Sequence, residues 1–226
     1  STTDSLGSSF KLGDMADAVE AFQALLEALK TTSAPATSLF EWSTLDVTHE
    51  SAAPPQPYPQ FVHYAAVAAL REVGQVPFDE ALRHVSSTTD AGPEPRVTLS
   101  GPLPDVFTLG LIWDSAKPSK EQLSALLSHL DTHIDLGKVL HGVDEPAPAN
   151  LCCLVCFYSA HYCAIVRDER SGAWLHFDDS SVSVVGESWA DVRFKCHSSK
   201  YQPVLVLYRQ ASAEGDSPNS LGLPPA

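Results

Sequence analysis

His161 and Asp178 are the two residues of this chain whose types and placement best support chemistry. A neutral imidazole can accept the proton of a nucleophile, and a carboxylate beside it fixes the tautomer and the orientation of the ring. A histidine in an apolar strand is more often a buried structural residue, so the nearby aspartate is what favours a catalytic role. Asp179 points to the other face if the strand stays regular, but strand ends usually bend, which would let it cap a backbone group or hold water beside the site. The pair corresponds to the base and the orienter of a nucleophilic triad.

A predicted β-hairpin positions these two residues. The segment from Cys152 to Val166 is almost continuously apolar, residues 168–172 are charged and turn-prone, and residues 173–177 resume an extended aromatic pattern. With the turn in the middle of the charged segment, His161 lies directly opposite Asp178. Directly opposed side chains share one face of a sheet at a separation of about 5 Å.

The five cysteines offer two rival kinds of chemistry, and the sequence favours neither. Four of them lie between Cys152 and Cys163, but strand alternation separates neighbours among apolar residues, which favours buried thiols over a metal site. Cys196 is followed by His197, yet adjacent side chains rarely converge on one substrate. This distribution is a poor disulfide framework and indicates reduced thiols, as in the cytoplasm or the nucleus. We predict no metal ligand and no cofactor.

The composition limits the class of protein. With 226 residues and 44% hydrophobic content, the chain can form one large domain or two small ones. A formal net charge of −14 with only 14 lysines and arginines disfavours nucleic-acid binding, while a basic protein partner and simple solubility both stay open. The apolar runs are too short to predict a membrane span. The chain starts without Met or a targeting segment, which favours a processed or trimmed product.

Local patterns predict a mixture of helices and strands. Helical spacing of apolar residues predicts a helix from Asp14 to Lys30, with Asp14 as its N-cap. Two β-rich runs, RVTLS and VFTLGLIW, predict core strands. The other predicted segments are loops at 31–38 and 54–59, a helix at 119–130, a helical turn at 189–196, a final strand at 203–208 and a disordered tail from residue 211.

Four sequence motifs occur in a recognisable order along the chain. They are GDMADAVEAFQALLEAL, SAHYCAIV, WLHFDD and YQPVLVLYR. Together they resemble the second box, the His box, the Asp-bearing element and the closing strand of the ubiquitin-specific proteases. These are papain-like cysteine proteases that cleave after the Gly-Gly end of ubiquitin. The phrases GDMADA, FVHY and TLGLIWDS resemble a divergent subgroup of that family, some members of which are regarded as poor or inactive proteases.

The resemblance implies an α+β fold of the papain-like, ubiquitin-specific protease type. Residues 1–210 would form part of a catalytic domain, and residues 211–226 a disordered tail. The implied parts are an N-terminal thumb helix at 14–30, reduced fingers at about 38–100 and an antiparallel palm sheet at about 101–210, incomplete without an upstream segment that carries the nucleophile.

Three departures from the family pattern bear on function. The Gly-Asn-Thr-Cys box, which holds the nucleophile, has no counterpart in these residues. Ala160 stands where the family usually has Gly before the histidine. The finger region carries no Cys-x-x-Cys pairs, so we predict no structural zinc.

The resemblance implies a cysteine-type deubiquitinase fragment in which His161 is the base and Asp178 the orienter, with Asp179 as a helper. The glycine tail of ubiquitin would need a narrow channel. The candidate walls are Phe157, Tyr158 and Trp174, each of which could equally be interior, with Ala160 admitting the tail and Tyr162 as a further substrate contact. The first reading of Tyr162 alone is core packing. The alternative is an inactive pseudoprotease that binds ubiquitin, a ubiquitinated protein or a larger assembly, and the sequence leaves the choice between enzyme and scaffold open.

Overall fold

The computed structural model describes residues 17–46, 56–87 and 97–211. Seven helices and eleven strands occur in these ranges, and no helix there is long and apolar enough to cross a membrane. The helices are α1 (Ala18–Lys30), α2 (Ala34–Ser38), α3 (Val67–Val73), α4 (Phe78–Ser87), α5 (Lys120–His129), α6 (Leu136–Val139) and α7 (Trp189–Ser199). The strands are β1 (Trp42–Asp46), β2 (Tyr58–Gln60), β3 (His63–Ala66), β4 (Val97–Leu99), β5 (Val106–Ile112), β6 (His133–Asp135), β7 (Pro148–Tyr158), β8 (His161–Arg167), β9 (Trp174–Asp178), β10 (Ser181–Gly186) and β11 (Gln202–Gln210).

The main sheet runs in the order β10-β9-β8-β7-β11-β5-β3, and β6 pairs with β7 beside this path. Every pairing in it is antiparallel except that of β3 with β5, which is parallel. The predicted antiparallel sheet is therefore present, and the RVTLS run does not join it. That run supplies β4, which belongs to a separate three-stranded sheet in the order β2-β1-β4.

Two apolar layers cover the main sheet, one on each face. Successive residues of β11 enter different layers, because Leu205 packs with α1 while Val206 packs in the larger core. The larger core includes Phe107, Leu82 and Tyr208, none of which is measurably exposed. The smaller apolar layer lies between α1 and the sheet, so fewer buried residues cover the sheet on its α1 face.

The N-terminal helix is shorter than the sequence predicts. The helix α1 begins at Ala18, and its N-cap is Asp17, whose Oδ1 accepts a hydrogen bond from the Val19 N–H at 2.7 Å. Asp14, the predicted N-cap, lies outside the described residues. The cap is therefore the second aspartate of the motif rather than the first.

Three other local predictions are wrong in part. The predicted loop at 31–38 contains the short helix α2, which Pro35 helps to start. The predicted loop at 54–59 contributes Pro59 to β2, an edge strand in which a missing N–H is tolerated. The helical turn at 189–196 extends to residue 199 as α7, with Ser188 and Asp191 forming a capping box. The predicted disordered tail lies outside the described residues beyond Ala211.

Candidate active site

A tight turn divides the apolar segment that the sequence analysis treats as one strand. The strand β7 ends at Tyr158, β8 begins at His161, and Tyr158 and His161 face each other across the turn. The two turn residues, Ser159 and Ala160, have φ angles of 44° and 65°. Positive φ at both central positions is the mark of a type I′ turn, whose twist matches that of antiparallel strands. His161 therefore stands at the first position of its own strand.

The register between β8 and β9 differs by two residues from the predicted one. Ala164 pairs with Phe177, which places Asp178 opposite Cys163 rather than opposite His161. A shift of two residues leaves every side chain on its original face, because side chains alternate with a period of two. His161 and Asp178 are therefore diagonal neighbours on one face of the sheet, a distance that side chains of their length can bridge.

The imidazole and the carboxylate are in direct contact. His161 Nε2 lies 2.6 Å from Asp178 Oδ1, and Tyr158 donates its phenolic hydrogen to Asp178 Oδ2 at 2.8 Å. Both hydrogen bonds lower the pKa of Asp178, and the bond from Tyr158 has the larger effect. The same carboxylate, by accepting its hydroxyl hydrogen, raises the pKa of Tyr158 to about 12. Asp178 is thus held as a carboxylate, the form that accepts a proton-bearing Nε2.

This arrangement fixes which nitrogen of His161 can act as a base. With Nε2 donating to Asp178, the lone pair resides on Nδ1 in the neutral ring. The side chains of His161 and Asp178 are 34% and 27% exposed, so the pair opens onto the surface. A group placed beside Nδ1 could therefore transfer a proton to it.

Asp179 lies beside the pair but outside its hydrogen bonds. Its Oδ1 is 3.7 Å from His161 Nε2, its side chain is 81% exposed, and its φ of 51° turns the backbone out of the strand. The three donor groups of His161, Asp178 and Asp179 lie within 4.8 Å of one another, as ligands of a metal would. The 2.6 Å contact between Nε2 and Asp178 occupies the nitrogen in a hydrogen bond instead.

A cleft of about 430 Å³ opens on the face of the sheet opposite His161. Tyr162 follows His161 in the chain and lies on this face, with its ring 5.2 Å from that of Phe157. Asp17 and Val19, at the start of α1, line the same cleft, so its wall extends from β8 to α1. Tyr64 and Trp113 contribute further aromatic surface. The cleft is an aromatic-walled groove between α1 and the sheet.

Sequence comparison relates the chain to named proteins over most of its length. Ubiquitin carboxyl-terminal hydrolase 53 of Homo sapiens is 29% identical over an alignment of 241 positions, which covers 88% of this chain and 22% of that protein. Ubiquitin carboxyl-terminal hydrolase 54 of Rattus norvegicus is 29% identical over an alignment of 259 positions, which covers 96% of this chain and 16% of that protein. Over most of its length the chain is therefore similar to ubiquitin carboxyl-terminal hydrolases. It spans about a fifth of the length of these relatives. No protein-family model matches the chain.

Solved structures share the fold of this chain. The SAGA Ubp8/Sgf11/Sus1/Sgf73 DUB module contains a chain that matches with a TM-score of 0.57 and 17% identity, over 88% of this chain and 48% of that one. A DUB module bound to monoubiquitin matches with a TM-score of 0.53 and 15% identity, over 87% and 49%. An essential yeast splicing factor matches with a TM-score of 0.55 and 11% identity, over 91% and 51%. The predicted ubiquitin-specific protease fold is confirmed.

The remaining predicted site residues are scattered. Trp174 is only 1% exposed and packs against Trp189, so it does not reach the cleft. The hydroxyl of Tyr158 donates a hydrogen bond to Asp178 instead of lining the cleft. Phe157 on β7 and Tyr162 on β8 do line the cleft. Ala160 is exposed in the turn before the histidine. If the turn at Ser159 and Ala160 had been predicted, strand pairing would have put Phe157 opposite Tyr162 on one face of the sheet.

The five cysteines are all free thiols, and none is hydrogen-bonded to His161 among the described residues. Burial raises the pKa of the Cys152 thiol and raises that of Cys153 to about 12. The Cys156 thiol contacts those of Cys163 and Cys196, and hydrogen bonds with both hold its pKa well above the usual range. These three are buried. A protonated, buried thiol is a poor nucleophile.

Proposed function

We propose that this chain forms the base-bearing part of a cysteine-type deubiquitinase that hydrolyses the bond after the C-terminal glycine of ubiquitin. The 2.6 Å contact between His161 Nε2 and Asp178 Oδ1 carries the proposal. In this role, Nδ1 of His161 takes the proton of a thiol, and Asp178 orients the ring and stabilises the imidazolium that results. The relationship to ubiquitin carboxyl-terminal hydrolases supports the choice of reaction.

The nucleophile of the proposed reaction is a cysteine outside these 226 residues. Cys156, Cys163 and Cys196 are buried against one another, and the two remaining thiols have raised pKa values. A thiol supplied next to His161 Nδ1 would instead form a thiolate and imidazolium pair at neutral pH. The proposal therefore concerns the full-length gene product, in which that cysteine would pack beside the exposed side of His161.

The proposed substrate-binding region is the cleft between α1 and the sheet. Its walls include Phe157, Tyr162 and Tyr64, and Asp17 and Glu20 add negative charge along α1. Aromatic walls suit an extended peptide whose two terminal glycines have no side chains, because only such a segment fits a narrow groove closely. Tyr162 in this cleft directly follows His161, whose side chain lies on the other face of the sheet, so a bound tail would have to continue past the start of β8 to reach the base. The DUB module bound to monoubiquitin is a precedent in the same fold.

The experiment uses the full-length protein and ubiquitin carrying a C-terminal electrophile that traps a nucleophilic cysteine. We expect one covalent adduct, and we expect His161→Ala to slow both adduct formation and hydrolysis of a ubiquitin-amide reporter by at least about 100-fold. His133→Ala is the matched control, because His133 is exposed at the far end of β7. If no cysteine forms an adduct, or if His161→Ala hydrolyses the reporter as fast as His133→Ala, the proposed reaction is refuted.

A second candidate is a binding protein of the same fold without hydrolysis. Two observations favour it: the five cysteines are unsuited to attack, and the fold occurs in an essential yeast splicing factor. Fold alone does not fix activity. Here the cleft would hold ubiquitin as a ligand, alone or within a larger protein assembly.

Calorimetry of the 226-residue chain with ubiquitin tests this candidate. Tyr162→Ala should weaken binding because Tyr162 lines the cleft, whereas Phe194→Ala should leave it unchanged because α7 packs on the other face of the sheet. Binding by the full-length protein without adduct formation would favour the scaffold over the enzyme. An absence of saturation at millimolar ubiquitin would count against a ubiquitin-binding scaffold.

A further inference from the structure

The carboxylate of Asp178 is held at both of its oxygens. Oδ1 contacts His161 Nε2 at 2.6 Å, and Oδ2 accepts the hydroxyl hydrogen of Tyr158 at 2.8 Å. The terminal torsion of an aspartate has a broad, two-fold energy profile, so a single hydrogen bond leaves the carboxylate free to rotate. A second hydrogen bond to the other oxygen removes that freedom.

Tyr158 is well placed to act as a fixed support. It faces His161 in the last residue pair before the turn, and its ring meets the imidazole edge-on, with centroids 5.3 Å apart and planes at 86°. Edge-to-face contact is a favoured geometry for aromatic rings. One side chain therefore contacts both members of the pair, through its ring and through its hydroxyl.

A second tier of buried rings holds Tyr158 in turn. Its ring lies 4.7 Å from that of Tyr201, which is 5% exposed and directly follows Lys200 at the end of α7. The ring of His176 stacks on Tyr201 at 5.2 Å with planes at 19°, and His176 stands two residues before Asp178 on β9. Ring contacts thus run continuously from His161 on β8, through Tyr158 and Tyr201, to His176 on β9, which also carries Asp178.

We propose that Tyr158 is the positioning residue of this site, which locks the carboxylate of Asp178 in the orientation that His161 requires. This inference rests on the proposed function for its catalytic meaning, but its structural content can be tested without any activity. It assigns Tyr158 to the support of the base rather than to the wall of the substrate channel. A phenylalanine would preserve the ring contacts and remove only the hydroxyl.

The charge state of Asp178 gives the most direct readout. Its pKa is lowered first by the hydrogen bond from Tyr158, so removal of that hydroxyl should raise it. The other titratable and charged groups near the carboxylate stay unchanged in Tyr158→Phe. They are His161, Asp179, Cys163, His176, Tyr201 and Lys195, the last acting through His176.

The first experiment follows the Asp178 carboxyl carbon by NMR during a pH titration of the 226-residue chain. We expect the midpoint to be higher in Tyr158→Phe than in the wild type. Tyr208→Phe is the matched control, because it removes a buried phenol that donates to the Asp131 carbonyl at 2.7 Å, away from the site. An Asp178 midpoint that is the same in all three proteins overturns the inference.

A reciprocal variant covers the case in which Tyr158→Phe does not fold. In Asp178→Asn the acceptor loses its charge, so the pKa of Tyr158 should fall from about 12 towards its ordinary value. The phenol titration is read from the tyrosine ring carbons. If the Tyr158 pKa stays at about 12 in Asp178→Asn, the two groups are not coupled and the inference is wrong.

The second experiment measures steady-state kinetics of the full-length protein. Loss of one hydrogen bond that orients the base should lower kcat about 3- to 10-fold and leave KM unchanged. An increase in KM at constant kcat would show that Tyr158 contacts the substrate and would overturn the positioning role. Failure of the proposed function looks different, because hydrolysis would then be absent in the wild type while the NMR shift of Asp178 persists.

Discussion

Ala160 is a position at which one substitution should stabilise the protein. It occupies the second place of the turn between β7 and β8, with a φ of 65°. This is the left-handed region, where the Cβ atom of an L-residue crowds the following carbonyl oxygen and only glycine is free of the penalty. Ala160 is also exposed, so its methyl group adds little to the core. We therefore expect Ala160→Gly to raise the free energy of unfolding.

The size of the effect follows from two opposing contributions. Relief of the left-handed conformation is worth about 1–2 kcal/mol for a residue with a Cβ atom. Glycine also gives the unfolded chain more freedom, which offsets about 0.4–1 kcal/mol of that gain. The net stabilisation should be about 0.5–1 kcal/mol. For a domain of this size, such a change raises Tm by about 1–4 °C.

Urea unfolding followed by tryptophan fluorescence measures this change through the midpoint at constant slope. Ala190→Gly is the matched control, because Ala190 is an exposed residue in the first turn of α7 with helical backbone. There the same chemical change should destabilise by about 0.5–1 kcal/mol. The two variants should shift the midpoint in opposite directions. A lower midpoint for Ala160→Gly, or shifts of the same sign, would refute the left-handed penalty as the dominant contribution.

Two further predictions concern the core and its pH dependence. Burial lowers the pKa of His63 to about 4. Between pH 6.5 and 4 the unfolded chain therefore binds a proton at His63 that the folded chain does not bind. The free energy of unfolding decreases as the pH falls through that range. His63→Gln cannot titrate, so its free energy of unfolding, measured in urea, should fall less between pH 7 and pH 4.5 than that of the wild type, by up to about 3 kcal/mol. An equal fall in both proteins would exclude His63 as the cause. Leu82 is fully buried, so Leu82→Ala should lower the free energy of unfolding by about 2–5 kcal/mol. The side chain of Phe194 is 74% exposed, so Phe194→Ala should change it by less than about 0.5 kcal/mol. Calorimetric Tm values compare the two, and equal losses would contradict the assigned core.

The face on which a side chain lies could be predicted from the sequence, but the strand register could not. Alternation along the segment around His161 and along WLHFDD placed His161 and Asp178 on one face, and this was enough to bring them together. The observed register is shifted by two residues from the predicted one. Alternation could not detect this shift, because a shift of two residues leaves every side chain on its original face. What distinguishes the two registers is packing, including the burial of Trp174 and His176, and the turn in which Asp168 accepts hydrogen bonds from Ser171.

The turn at Ser159 and Ala160 was missed for a different reason. Neither residue is among those that favour positive φ, so their types gave no local signal. The resembled family usually has glycine before the histidine, and the left-handed φ of Ala160 supplies the physical reason for that preference. The unrecognised turn also hid the pairing of Tyr158 with His161, and with it the hydrogen bond from Tyr158 to Asp178. Local propensity was overridden here by the pairing of the flanking strands.

The two connections of β8 differ in what they can tolerate during evolution. The connection to β9, from Asp168 to Ala173, lies at the end of β8 farthest from His161, about 20 Å along a seven-residue strand. Insertions or deletions there would change a surface loop while leaving the base and its carboxylate in place. The connection to β7 has only two residues, and one added residue would separate Tyr158 from His161 and disturb their pairing. Length variation among homologous chains should therefore accumulate in the first connection and be selected against in the second.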